Sequence, residues 1–382
     1  MSMRSTIALN AGILRAPRTG IGHYLAELAT ALDAERDLQL QFFNGWSWQR
    51  QLPSAPMPGY SRWSGLAKQW LPGAYRLRRL LEQQRFNAGL RHHPVALYHE
   101  PSLWPLAFDG PMVMTLHDLT HVHYPETQPA DRLVEIERHA ARSVQQAQRI
   151  LVDSQFVAGE VAAYYAVDRD KIVVAPLGCA PRFHPRDERL LREPLQRLGL
   201  EPGKYLICVG TLEPRKNLQL ALRAHERLPV SLRQRFPLVI VGMSGWRGDE
   251  FAELLQRGLA GGHVRLLGYQ PDEVLAEVLA GARLLVFPSL YEGFGLPVLE
   301  AMASGIPVVL SGTASLPEVA GDSGIYVAPD DEAGCTEAIV QLIDDDRLWG
   351  SRRAAGLQRA KHFSWKNCAA ITAGVYRQVM ES

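Results

Sequence analysis

At 382 residues with 47% hydrophobic side chains, the chain exceeds one compact core and predicts two domains of about 180 residues each. A net charge of +1 argues against nucleic acid as the main partner, since that normally demands a large basic excess. No run of eighteen apolar residues is present, and the apolar start (7–9) is too short for a signal-peptide core, so a soluble or surface-resting protein is expected.

Short apolar runs alternate with amphipathic stretches throughout, the pattern of parallel sheets covered by helices on both faces. Strands are predicted at 6–9, 38–43, 95–99, 112–116, 150–153 and 172–175. Gly20 and Gly22 read as a turn, after which Ile21, Leu25, Leu28 and Leu32 repeat at helical spacing. As a dinucleotide fingerprint this turn is poor, because no G-x-G-x-x-G appears. A second series of strands follows at 205–209, 238–241, 264–267, 284–287, 308–310 and 325–327. The expected organisation is two doubly wound domains: 1–182, a linker at 183–202, 203–364, and a final helix at 365–382.

Between Tyr60 and His93, seven cations (Arg62, Lys68, Arg76, Arg78, Arg79, Arg85, Arg91) face one acid, Glu82, with Trp63, Trp70, Leu71 and Tyr75 interleaved. Two readings stand: docking on an anionic membrane, or an ordinary helical surface. Four widely spaced cysteines without a C-x-x-C pair fit reduced thiols in a cytoplasmic protein. Six of the twelve histidines lie between His92 and His123, but their spacing gives no zinc arrangement. Asp168-Arg169-Asp170 has the D-x-D form of a metal-held diphosphate site, yet it precedes a strand and reads as solvent-facing.

The richest segment is P-S-L-Y-E-G-F-G-L-P-V-L-E-A-M-A-S-G at 288–305. An apolar strand runs into Gly293 and Gly295, and Pro297 sits where a first helical turn begins. Free backbone N–H groups at a helix N-terminus suit a phosphate. Glu292 and Glu300 repel one, so they fit better as acceptors for hydroxyl groups attached to it, which suggests a nucleotide sugar. Arg215 and Lys216, after the strand ending at Gly210, supply fixed cations where a diphosphate leaving group gains charge.

This segment resembles the E-x7-E signature of the retaining family 4 glycosyltransferases. E-P-R-K-N at 213–217, G-I-G-H-Y at 20–24, T-L-H-D at 115–118 and V-D-S-Q-F at 152–156 match further landmarks in the expected order. The resemblance implies the GT-B fold: two Rossmann-like domains facing a central cleft, with the last helix crossing back to the first. It assigns Glu300 to the ribose hydroxyls and Glu292 to the transferred sugar, with Gly293, Phe294, Gly295 and Leu296 giving backbone contacts. Gly268 and Tyr269 resemble the loop that holds the donor base, Gly20 and Gly22 the pair near acceptor and diphosphate. His117 would lie beside the sugar, and Ser154 would cap a helix.

No cofactor or metal is implied, and the leaving diphosphate oxygen itself would accept the acceptor's proton. The flanks H-D-L-T-H-V-H-Y-P-E at 117–126 and V-G-M-S-G-W at 241–246 look most like bacterial mannosyl- and rhamnosyltransferases of surface polysaccharide. They favour a GDP-sugar donor and a glycan or lipid-linked glycan acceptor; under the membrane reading of 60–93, peripheral association with the inner membrane would follow. The rivals are a non-catalytic nucleotide-sugar-binding subunit and an epimerase of the same architecture. A glycosidase pair is disfavoured, because it has no use for a phosphate cradle.

Overall fold

The computed structural model describes residues 4–15, 20–53, 74–127, 129–243, 245 and 249–381. The chain forms two compact units, Met1–Gly178 with Trp365–Ser382, and Cys179–Ser364.

The first unit is built on seven strands: β1 (Ser5–Asn10), β2 (Leu38–Phe43), β3 (Trp48–Gln49), β4 (Leu97–Glu100), β5 (Met112–Leu116), β6 (Arg149–Val152) and β7 (Ile172–Val174). Their order is β3-β2-β1-β4-β5-β6-β7, and every pairing is parallel except that of β3 with β2. β5 is buried at every position and apolar but for Thr115, because helices cover both faces. Ile136, Ala140, Val144, Val157 and Val161 supply the helical side of this core.

Three local features depart from the expectations. Gly20 and Gly22 lie within the first turn of the helix Gly20–Leu32 rather than in a turn before it; Gly22 is buried and Gly20 exposed. β3 was not anticipated, since two residues carry no periodicity; Asn44 Oδ1 accepts the N–H groups of Trp46 and Ser47 to close its hairpin. Residues 183–202 are part of the second unit, and Glu188–Arg197 form a helix there. Its Leu191 and Leu195 are buried one turn apart, and Asp187 accepts the N–H of Arg189 at its start.

The final helix, Trp365–Glu381, belongs to the first unit. Cys368, Thr372, Ala373 and Tyr376 form its buried face, and Arg377 pairs with Glu35 at 2.7 Å and Asp37 at 2.8 Å. Of the basic, aromatic stretch at 60–93, Arg62, Trp63, Lys68, Trp70 and Leu71 lie outside the described residues, as does the side chain of Tyr75. The helix Ala74–Leu90 carries Arg76, Arg78, Arg79, Glu82 and Arg85, and Arg91 follows it directly.

The second unit has six parallel strands: β8 (Leu206–Val209), β9 (Leu238–Val241), β10 (Val264–Gly268), β11 (Leu284–Phe287), β12 (Val308–Ser311) and β13 (Ile325–Val327). Their order, β10-β9-β8-β11-β12-β13, is that of a doubly wound sheet. The order reverses between β8 and β11, and such a switch point opens a crevice at the carboxyl ends of the strands. The first sheet reverses in the same way between β1 and β4.

Candidate functional site

The loops leaving β8 and β11 carry Arg215, Lys216 and Glu292, so the switch point of the second sheet brings these three side chains together. Pro214–Lys216 form a short 3-10 turn, and the Arg215 carbonyl accepts the N–H of Leu290, tying this turn to the β11 loop at 2.7 Å. Lys216 Nζ donates to Glu292 Oε1, and Arg215 Nη1 donates to Glu292 Oε2 at 3.1 Å and to the Tyr291 carbonyl at 3.0 Å. Glu213 pairs with Arg215 Nε at 2.8 Å. The Lys216 ammonium also sits 5.4 Å from the centroid of Phe287.

Burial pushes the Glu292 carboxyl up, but the charges of Lys216 and Arg215 and their hydrogen bonding outweigh it and hold it at about 2. Burial lowers the Lys216 ammonium from its ordinary value; Glu292 opposes this and Arg215 adds to it. The expected picture had the cations facing a diphosphate while Glu292 faced a sugar. In the structure the half-buried cations close around the buried Glu292 as one cluster, with Glu213 as a second acid that the sequence reading had not singled out.

The glycine loop is set by its neighbours. Ser315 Oγ donates to the Glu292 carbonyl at 2.8 Å, and Ser311 and Thr313 donate to the Ser289 carbonyl. Gly295 precedes the helix Leu296–Ala303 with φ +99°, a conformation that side chains rarely adopt, and a Cβ there would come within 2.6 Å of Leu316. Phe294 is buried, edge-on to Phe363 at 5.6 Å. Glu300 lies on that helix, half-buried, with Gly293 on the loop before it. Gly268 and Tyr269 lie at the carboxyl end of β10, three strands from β11 in the sheet order. The register against β9 slips just before Gly268, whose φ is +68°, and Tyr269 is exposed.

In the first unit, His117 follows β5 and donates or accepts at Nδ1 with Asp153 Oδ2, 2.7 Å away at the end of β6. Ser154 caps the next helix, its Oγ accepting the Val157 N–H at 3.2 Å. Between β1 and β4, Glu100 is fully buried and accepts from Asn10 Nδ2 (2.7 Å), Tyr98 Oη (2.5 Å) and Ser102 Oγ (2.6 Å). Burial lifts its carboxyl to about 7, against the pull of these donors. Neither Asp153 nor Glu100 was singled out from the sequence; the only signal was an acid at each strand end.

Among the described residues no group of three His, Cys, Asp or Glu side chains could hold a metal ion. Asp168 and Asp170 are exposed, and Asp168 Oδ1 accepts the N–H of Asp170 to cap a short turn. No helix among the described residues is long and apolar enough to cross a membrane.

Comparison with known proteins bears on this arrangement. Residues 18–182 match the family described as Glycosyltransferase Family 4, and residues 203–345 that described as Glycosyl transferases group 1. The chain is 37% identical over 372 residues to O-antigen chain mannosyltransferase B of Escherichia coli, covering 95% of this chain and 97% of that one. It is 32% identical over 254 residues to MMP alpha-(1->4)-mannosyltransferase of Mycolicibacterium hassiacum, covering 65% of this chain and 57% of the relative.

Among solved structures, sucrose-phosphate synthase of Thermosynechococcus elongatus matches with a TM-score of 0.77 at 20% identity, over 99% of this chain and 100% of that one. Anabaena HepE in complex with UDP-glucose matches with a TM-score of 0.72 at 16% identity, over 97% and 99%. These two likenesses speak for the fold. With the two doubly wound sheets and the E. coli relative aligned over nearly its whole length, the chain belongs to glycosyltransferase family 4 and is a glycosyltransferase of the GT-B fold.

Proposed function

We propose that the protein transfers mannose or D-rhamnose from a GDP-sugar to a lipid-linked or polysaccharide acceptor in O-antigen synthesis. In this reading the reaction retains the anomeric configuration and needs no metal. The observation that carries it is the 37% identity, over 95% of the chain, to a protein named O-antigen chain mannosyltransferase B. Arg215 and Lys216 would meet the charge developing on the departing diphosphate, Glu292 would hold them and contact the sugar, and Glu300 would take the ribose hydroxyls. Gly20 and Gly22, at the helix start in the first unit, would face the acceptor and diphosphate, and His117 the transferred sugar.

Free, buried Cys208, Cys335 and Cys368 fit a reducing compartment, and we place the enzyme on the cytoplasmic side of the inner membrane. Leu77, Leu80 and Leu81 are exposed on one face of the helix Ala74–Leu90 beside Arg76 and Arg78, which supports peripheral attachment to anionic lipid.

The test is a thermal-shift panel of GDP-, UDP- and ADP-sugars, followed by transfer assays with the stabilising donor and NMR of the product's anomeric configuration. Stabilisation by GDP-mannose or GDP-rhamnose and an axial product linkage are expected. Preference for UDP- or ADP-sugars would overturn the donor assignment, and an inverted product the stereochemical one. Activity is expected to survive EDTA; loss restored by magnesium would overturn metal independence. Cosedimentation with phosphatidylglycerol vesicles but not with phosphatidylcholine vesicles checks the attachment.

A further inference from the structure

β5 and β6 are parallel neighbours, so His117 and Asp153, just past their ends, leave the first sheet at the same edge. The side chains are 12% and 4% exposed, and Asp153 Oδ2 lies 2.7 Å from His117 Nδ1. Asp153 Oδ1 is buried without a partner among the described residues, so the carboxylate's one side-chain hydrogen bond there goes to the histidine. Capping is not its task, because Ser154 caps the following helix. His117 Nε2 is also buried and makes no hydrogen bond of normal geometry among the described residues, the Pro101 carbonyl being the one backbone acceptor that acts on the ring. Nearby His99 fills both nitrogens, its Nδ1 meeting Tyr376 at 2.6 Å and its Nε2 Thr115 at 2.7 Å, whereas His121 and His225 each leave Nδ1 unpartnered; what sets His117 apart from all three is a buried carboxylate, that of Asp153, on its other nitrogen. Tyr24 sets its ring against that of His117 at 4.5 Å, nearly perpendicular, so the imidazole is gripped from a second side.

We propose that Asp153 is a positioning residue for sugar transfer: its carboxylate accepts the Nδ1–H of His117, fixes the ring, and turns Nε2, near which only the Pro101 carbonyl among the described residues stands as a weak competitor, toward a substrate oxygen. This rests on the reading of His117 as a site residue given above.

Several groups face the ring. Burial pulls His117 down, but the charge and hydrogen bond of Asp153, joined by Asp118 and the Pro101 carbonyl, outweigh it and hold the imidazole above its ordinary value. Burial also lifts the Asp153 carboxyl, against the pull of His117. The two shifts agree if the pair keeps one proton between its members, which is how such a coupled pair titrates. His99 is held neutral near 3, by burial first and by His117 second. Tyr24 and Cys368 are lifted by burial and stay neutral.

Asp153→Asn in the full-length chain keeps the shape and removes the charge. Burial then dominates, so the His117 titration should fall, read from the 15N shifts of its ring nitrogens in histidine-labelled protein. Whichever limb of the kcat/KM pH profile His117 governs should move to lower pH, and the rate at neutral pH should drop about tenfold or more. Asp153→Glu should regain part of that rate. Unchanged ring shifts, or an unmoved profile in a folded Asp153→Asn protein, would overturn the proposal. A normal rate in His117→Gln would instead overturn the site reading of His117 and Asp153's role in transfer with it. An inactive His117→Gln beside a fully active Asp153→Asn overturns Asp153 alone.

Discussion

Glu292, buried, and Lys216, half-buried, meet as an ion pair across the point where the strand order of the second sheet reverses. Arg215 reaches the same carboxylate from the β8 side, so one acid holds two cations in place. Fixed charges that need no reorganisation are what a developing pyrophosphate requires.

The pair has a consequence for acid stability. The Glu292 carboxyl is held at about 2, against an ordinary 4.5. A depressed folded value gives stability that is present above pH 4.5 and lost as pH falls from there toward 2, on the order of 3 kcal/mol in all. Glu292→Gln should flatten this acid limb in thermal melts taken between pH 2 and 7, and should lower the melting temperature at pH 7. An unchanged limb would mean that the carboxylate is not charged in the folded state.

Lys216→Ala separates catalysis from folding. Arg215 still pairs with Glu292 at 3.1 Å, so the loop keeps one of its two anchors. Turnover should fall about 100-fold, the usual cost of one well-placed electrostatic donor. Steady-state rates at saturating donor, beside a melt showing an intact fold, check this.

For Glu300, the expected loss is in donor affinity. Hydrogen bonds from ribose hydroxyls to a carboxylate contribute about 1.5 to 3 kcal/mol each, so Glu300→Ala should weaken donor binding at least tenfold by calorimetry. Unchanged affinity would remove it from the ribose.

What was legible in the sequence follows from what periodicity can carry. Strands such as β9 and β11 are covered on both faces and appear as bare apolar runs, so 238–241 and 284–287 were found to the residue. The convergence of Arg215, Lys216 and Glu292 was readable too, because all three follow strands of one doubly wound sheet. Side-chain partnership was not. Asn10 meets Glu100 across ninety positions and His117 meets Asp153 across thirty-six, and no local spacing encodes such pairings. The helix Glu188–Arg197 was masked by Pro194 and its charges, although Leu191 and Leu195 already mark its buried stripe. Glu213 stood in a quoted motif, but only the fold gives it Arg215 as partner.

Gly295 tests the loop's backbone rather than its charges. Its φ of +99° disfavours any L side chain, and a Cβ would press on Leu316 at 2.6 Å. Gly295→Ala should cost about 1–3 kcal/mol and weaken donor binding, because the N–H groups at the start of the helix Leu296–Ala303 would be displaced. Urea unfolding and donor titration measure the two effects separately. Tight donor binding in a destabilised variant would mean that these N–H groups do not carry the diphosphate.

Glu100 gives the opposite sign to Glu292. Burial lifts its folded value to about 7 from an ordinary 4.5, so the folded state prefers the protonated acid. A raised carboxyl contributes stability that is present below pH 4.5 and is lost as pH rises to about 7. Glu100→Gln suits the site: its carbonyl oxygen accepts from Asn10 and Tyr98, while its amide donates to the Ser102 hydroxyl, which rotates to accept. The variant should therefore melt higher than the wild type at pH 8 and close to it at pH 4.5. With Glu292 eroding stability below pH 4.5 and Glu100 above it, the wild type should be most stable in mildly acid buffer. Melts of both proteins from pH 4 to 8 decide it: parallel curves would mean that Glu100 is ionised in its buried site without penalty.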